Sequence, residues 1–113
     1  MEINGVTLEF DILDADTAEK YERALREMEQ EADSLDEQGD ISLADNIRIQ
    51  CRAIFDFFNT IFGEGTDKAI FGEKVNLGTC MDAYDQVVDT ANRQRMQYEN
   101  RIEKYYNAAR AKR

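Results

Sequence analysis

The chain has 113 residues and a mass of 13.1 kDa, which is enough for one domain with a single core. It contains no histidine and only two cysteines, and these counts exclude a Ser-His-Asp triad, a His-ligated metal and a four-thiolate metal site. The formal net charge is −10, but residues 1–92 carry 7 Lys/Arg and 22 Asp/Glu, whereas residues 93–113 carry 7 Lys/Arg and 2 Asp/Glu.

Residues 1–12 are predicted to form a β-hairpin. The dipeptide Asn4-Gly5 favours a two-residue type I′ turn, because both central positions of that turn require positive φ. The turn pairs Ile3 with Val6 and places Leu8 on the same apolar face. A two-stranded hairpin is marginally stable alone, so we expect this face to pack on helices.

Residues 16–97 are predicted to form a helical core. The first helix is expected to begin near Asp16, whose carboxylate suits an N-cap, and apolar residues then recur at spacings of three and four as far as Leu35. The second helix should run from Ser42 to Phe62. Its wide apolar stripe is the most hydrophobic part of the chain and is predicted to be the centre of the core.

The glycine-rich segment 63–76 is expected to contain one short helical turn, capped by Thr66. The last helix should begin near Asn76, and at about 1.5 Å per residue it would extend on the order of 50 Å, against about 30 Å for each of the first two. Its basic end, residues 98–113, is therefore expected to project from the bundle or to be disordered.

These elements predict one domain over residues 1–113 and a mainly α fold. The expected architecture is a small N-terminal β-hairpin on an antiparallel helical bundle with a long C-terminal helix. A stripe of tyrosine and isoleucine on the projecting end of that helix would need a partner. Tyrosine and arginine are enriched in protein interfaces, so the sequence predicts a homo-oligomer.

No residue pattern predicts catalysis, a metal or a cofactor. Residues 63–68 lack the G-x-x-x-x-G-K-[ST] spacing of a phosphate loop, and the carboxylates lie in polar runs where none is expected to be desolvated. Cys51 and Cys80 lie in apolar stretches and are predicted to be buried thiols. We therefore expect a non-enzymatic protein without cofactors.

The partners and the compartment follow from charge and hydropathy. The acidic body would repel nucleic acid and anionic membranes, so we expect neither as a partner. No run approaches about 18 apolar residues, and the acidic, alternating start of the chain does not resemble a signal peptide. These features predict a cytoplasmic protein whose partners are proteins.

Three segments carry a resemblance to known proteins: the opening MEINGVTLEF, the central FFNTIFGEGTDKAIFGEKVNLG and the basic end NAARAKR. They resemble small phage and prophage proteins of Gram-positive bacteria that are similar to tail assembly chaperones. The resemblance implies a helper that coats the hydrophobic tape measure protein, associates with itself and leaves before the virion is finished. By this resemblance the contact surfaces would be the terminal helix and the apolar region of Phe57, Phe58, Ile61, Phe62, Ile70 and Phe71. In a homo-oligomer, Tyr98, Ile102, Tyr105 and the edge of the hairpin would be buried between chains.

An alternative hypothesis starts from the acidic balance of residues 1–92. A phage-encoded acidic inhibitor could imitate the phosphates of DNA and bind a host nucleic-acid-binding protein. Such a DNA mimic needs carboxylates that share one face of a helix. The candidates in the first helix are Glu19, Glu22, Asp33 and Asp36.

Overall fold

A computed structural model describes residues 1–111 as an elongated bundle of helices with extents of 64 × 33 × 21 Å. The fold class is as predicted: mainly α, with an N-terminal hairpin and a long C-terminal helix. The strands and helices of the described residues are β1 (Glu2–Ile3), β2 (Val6–Thr7), α1 (Ala15–Glu37), α2 (Leu43–Phe62), α3 (Thr66–Phe71) and α4 (Leu77–Ala111).

The hairpin turns at Asn4-Gly5, where φ is 50° and 80°, as a type I′ turn requires. Strands β1 and β2 are antiparallel, and Ile3 is paired with Val6, which confirms the predicted register. The backbone amide of Leu8 also donates to the carbonyl of Met1 at 2.7 Å. Ile3 and Leu8 are buried, so the apolar face of the hairpin is part of the core.

Helix α1 begins at Ala15, one residue before Asp16. Its N-cap is Asp14, whose carboxylate accepts hydrogen bonds from both the backbone amide and the hydroxyl of Thr17, each at 3.1 Å. The prediction of Asp16 as the cap was therefore wrong, because Thr17 donates two hydrogen bonds to the carboxylate of Asp14. Helix α2 begins and ends as predicted, with Ser42 as its N-cap and Gly63, at φ 108°, after its last residue.

Helix α3 follows Gly65, and Thr66 is its first residue and not its cap, which corrects the prediction. The backbone amide of Asp67 donates instead to the side-chain carbonyl of Asn59 in α2, at 3.1 Å. Helix α4 begins after Asn76, whose side chain accepts from the amide of Thr79 at 3.0 Å. The predicted start of the last helix is thus confirmed.

The core is centred on α2, as its hydropathy predicted. Phe57 and Phe58 are almost fully buried, and their ring centroids lie 4.9 Å from Tyr84 of α4 and 5.6 Å from Phe71 of α3, respectively. Burial of side chains of this size contributes about 1.5–3 kcal/mol each. The core therefore joins α2 to both later helices through aromatic contacts.

The apolar stripe of α1 is covered over only half of its length. Tyr21 and Ala24 are buried against the bundle, whereas Met28 and Leu35 are half-buried and Ala32 is exposed. The helix thus leaves apolar side chains partly open towards its C-terminal end.

Candidate protein-interaction site

The apolar stripe of helix α4 is buried in the first half of the helix and exposed in the second. In its first half, Cys80, Ala83, Val87 and Ala91 are buried in the bundle. Beyond Gln94, every residue as far as Ala111 is exposed except Ile102, which is half-buried. The end of the helix therefore projects from the bundle as far as Ala111.

Gln94 marks the boundary between these two halves. Its side-chain amide donates to the carbonyl of Phe10 at 3.0 Å, and its side-chain carbonyl accepts from the amide of Ile12 at 2.8 Å. The side chain of Gln94 thus bonds to the backbone of two residues in the segment that follows the hairpin. In the sequence Gln94 belongs to a polar interruption of the apolar spacing, and nothing local indicated this pairing.

Four apolar side chains form a surface just beyond Gln94, and we call it the terminal stripe: Leu13, Tyr98, Ile102 and Tyr105. They line a shallow cavity of about 280 Å³ together with Arg101. Tyr98 is 46% exposed and Tyr105 is 70% exposed. Three of these residues were predicted as contact residues, and Leu13 was missed because its partners lie 85 or more residues away in the chain.

The other predicted contact residues have a different environment. Five of them are buried: Phe57, Phe58, Ile61, Ile70 and Phe71. Phe62 is half-buried, and its ring stacks on Phe58 with centroids 6.0 Å apart. These side chains supply the core that α2, α3 and α4 share, and their assignment to a contact surface stays a prediction.

A second apolar surface lies between α1, α2 and α4, and we call it the acidic groove. It has a volume of about 360 Å³, and Met28, Leu35, Ile54, Leu77 and Met81 contribute its apolar lining. Three carboxylates, Glu31, Asp36 and Asp85, also line it, and none of its lining residues is Lys or Arg. Within residues 1–111, none of these three carboxylates forms an ion pair.

The sequence contained a signal for the acidic groove that was not used. Residues 27–40 carry seven Asp/Glu and no Lys or Arg, although α1 ends within this segment. Carboxylates at the C-terminal end of a helix interact unfavourably with its dipole. Such a segment, which also bears Met28 and Leu35, indicates a surface where cations of a partner would be stabilising.

The core contains two thiols, and the pKa of one of them is raised. Cys51 and Cys80 are free, fully buried thiols, as predicted. Burial, together with the hydrogen bond to Cys51, raises the pKa of Cys80 to about 12, so this thiol is not ionised at neutral pH. No group of three or more metal-binding side chains occurs within residues 1–111.

One carboxylate has a perturbed environment on the surface of α2. Partial desolvation raises the pKa of Asp56 above its ordinary value, and the nearby carboxylates of Glu27 and Asp67 act in the same direction. The guanidinium of Arg52 opposes this shift in part. Asp56 and Glu27 line a small cavity together with Met28 and Glu31, which also line the acidic groove.

These features define a class of structure: a helical bundle with an N-terminal hairpin, a projecting basic helix end and two open apolar surfaces. Residues 4–113 match a family described as a family of unknown function, DUF6673, and the chain belongs to that family. No match was found among curated proteins or among solved structures. No helix within the described part of the chain combines the length and hydropathy needed to cross a bilayer.

Proposed function

We propose that this protein is a non-enzymatic assembly factor of a phage or prophage, similar to a tail assembly chaperone, that acts by binding proteins. The observation that carries the proposal is the terminal stripe: apolar side chains with the spacing of a core helix, exposed on a helix end that projects from a completed core. Exposure of such a stripe to water is unfavourable, and the free energy falls when a protein covers it.

The proposed partners are further copies of the chain and, by the resemblance of the sequence, a hydrophobic tape measure protein. Tyr98 and Tyr105 are suited to such contacts, because aromatic side chains combine a large contact area with a small loss of conformational freedom. The acidic bundle would keep an assembly soluble and would disfavour nucleic acid. We propose the cytoplasm of the bacterial host as the site of action.

Removal of residues 98–113 tests this proposal directly. The truncated chain should keep the far-ultraviolet circular dichroism of a folded bundle, because the core contacts end at Gln94. The mass measured by light scattering, which for the full chain should exceed 13.1 kDa, should fall to that of a single chain. A full-length chain that stays monomeric at all concentrations tested, or a truncated chain of unchanged oligomeric state, would contradict the proposal.

The acidic inhibitor is a second candidate, and one observation favours it. Glu19, Glu22, Asp33 and Asp36 are all exposed on α1. At about 100° per residue, the four side chains lie within an arc of roughly 100° along one face of the helix. A DNA mimic acting through this face should compete with DNA for a host protein, and replacement of the four acids by Gln and Asn should abolish the competition. Loss of competition on removal of residues 98–113 alone would argue against the mimic.

A further inference from the structure

We infer that the acidic groove is the docking site for the terminal stripe of a second copy, so that copies associate head to tail. This inference rests on the proposed self-association and specifies the surface that the terminal stripe covers. In the docked arrangement the end of α4 would lie beside α1, α2 and the first half of another copy's α4. It would complete a four-helix arrangement around the groove.

The charges of the two surfaces are complementary. Glu31, Asp36 and Asp85 line the groove and have no ion-pair partner within residues 1–111. Arg101 lines the terminal stripe, and residues 98–113 carry five Lys/Arg against two Asp/Glu. Opposite charges placed around two apolar surfaces favour this pairing over contact between two grooves or between two basic helix ends.

The dimensions of the two surfaces also agree. The groove follows α1 from Met28 to Asp36 and α4 from Leu77 to Asp85, which corresponds in each case to about 12 Å along the helix axis. The stripe residues Tyr98 to Tyr105 extend over about 11 Å of helix. One helical segment can therefore cover the apolar lining of the groove from end to end.

A chain cannot fill its own groove. Helix α4 is continuous from Leu77 to Ala111, and Met81 in the groove lies 17 residues before Tyr98 in the stripe. This separation is about 26 Å along the helix axis. The contact must therefore be made between copies, and because it joins two different surfaces it produces a ring or an open chain of copies.

Two variants that each destroy one surface test the inference. Met81→Glu places a charge in the groove at a side chain that is 49% exposed, and Tyr98→Glu with Tyr105→Glu does the same to the stripe. Each variant alone should have the mass of one chain by analytical ultracentrifugation. An equimolar mixture should give a complex of twice 13.1 kDa, because one partner keeps an intact stripe and the other an intact groove.

A control variant and three outcomes separate the inference from the proposed self-association. Met96→Glu changes a side chain that is 63% exposed on α4 and lines neither surface, so it should leave the wild-type mass unchanged. If Met81→Glu keeps the wild-type mass, the stripe pairs with another surface, and the inference is overturned while the proposed self-association stands. A mixture that stays monomeric also overturns the inference. A monomeric wild type overturns the proposed self-association itself.

Discussion

The two halves of α4 have nearly the same apolar spacing but opposite environments. Val87 and Ala91 are completely buried, whereas Tyr98 and Tyr105, which continue the same stripe, are 46% and 70% exposed. The difference arises outside α4, because α2 and the hairpin cover the first half and no element of the described chain covers the second. An apolar stripe on a helix thus predicts a packing partner, but it does not indicate whether that partner belongs to the same chain.

The boundary between the two halves of α4 is a polar residue, Gln94. Gln94 lies where the next apolar residue of the stripe would be expected, and it is hydrogen-bonded to the backbone of Phe10 and Ile12. A polar side chain at a partly buried position is tolerated only when its hydrogen bonds are made. The segment after the hairpin is therefore both the last element that covers α4 and the element that determines where the covered half ends.

The largest expected effect is the difference in the free energy of unfolding between two variants, each of which places one charge in one half of α4. Val87→Asp would bury an unpaired carboxylate, and we expect it to lower the free energy of unfolding by more than about 4 kcal/mol, enough to unfold a chain of this size. Tyr105→Asp makes a comparable charge change on the exposed half and should cost less than about 0.5 kcal/mol. Circular dichroism shows whether Val87→Asp folds at all, and urea denaturation of dilute protein measures the loss in Tyr105→Asp. Loss of the fold in both variants would show that the terminal half is packed as tightly as the first.

A smaller effect is expected at the boundary. Gln94→Ala removes both hydrogen bonds to the segment after the hairpin and should destabilise the chain by about 1–3 kcal/mol. The amide of Ile12 should lose its protection in hydrogen exchange, because its acceptor is gone. Gln97→Ala, three residues further along, is the control and should change stability by less than about 0.5 kcal/mol. Unchanged protection of the Ile12 amide in Gln94→Ala would show that the hydrogen bonds of Gln94 do not fix the segment after the hairpin in place.

The smallest expected effect is a gain in stability, and it comes from removal of the charge of Asp56. Because the pKa of Asp56 is raised in the folded chain, its ionised form destabilises the fold, and this cost is present at neutral pH and disappears as the carboxyl is protonated. Asp56→Asn should therefore stabilise the bundle at pH 7, by less than about 1 kcal/mol because the group is well exposed to solvent. The gain should vanish by about pH 3.

A matched substitution on the basic half sharpens this comparison. Glu103→Gln makes the same change in net charge on the projecting end of α4, where basic residues predominate. It should give no gain in thermal melting temperature at pH 7, since it removes no like-charge repulsion. An equal gain in both variants would mean that net charge alone, and not the local carboxylate cluster, sets the effect.

The parts of the fold that were predicted from the sequence are those with local causes. The turn at Asn4-Gly5 follows from the backbone freedom of those two residues, and the bounds of α2 follow from Ser42 and Gly63. Two caps were placed wrongly. Thr66 is the first residue of α3 and not its cap, and Asp16 was chosen over Asp14, whose carboxylate bonds the hydroxyl of Thr17. Local patterns thus predict which elements form more reliably than they predict their first residue.

The candidate site was predicted only in part, for a physical reason. The apolar spacing of four that identified Tyr98 and Ile102 also occurs between the buried Ile54 and Phe58, so it could not separate an open surface from the core. The acidic groove was missed because three helices distant in sequence contribute to it. Leu13 was missed for the same reason, as its contact with the terminal stripe joins the two ends of the chain.

The sequence by itself determined the mainly α class, the hairpin, the helices and the opposite charges of the body and the basic end, because turns, caps, periodicity and charge act over a few residues. Only the tertiary structure decided which apolar stripes are covered, where Gln94 ends the covered half of α4, and that a groove bordered by unpaired carboxylates lies open between α1, α2 and α4. Burial depends on contacts between residues far apart in the chain, and the local pattern of one helix does not contain that information.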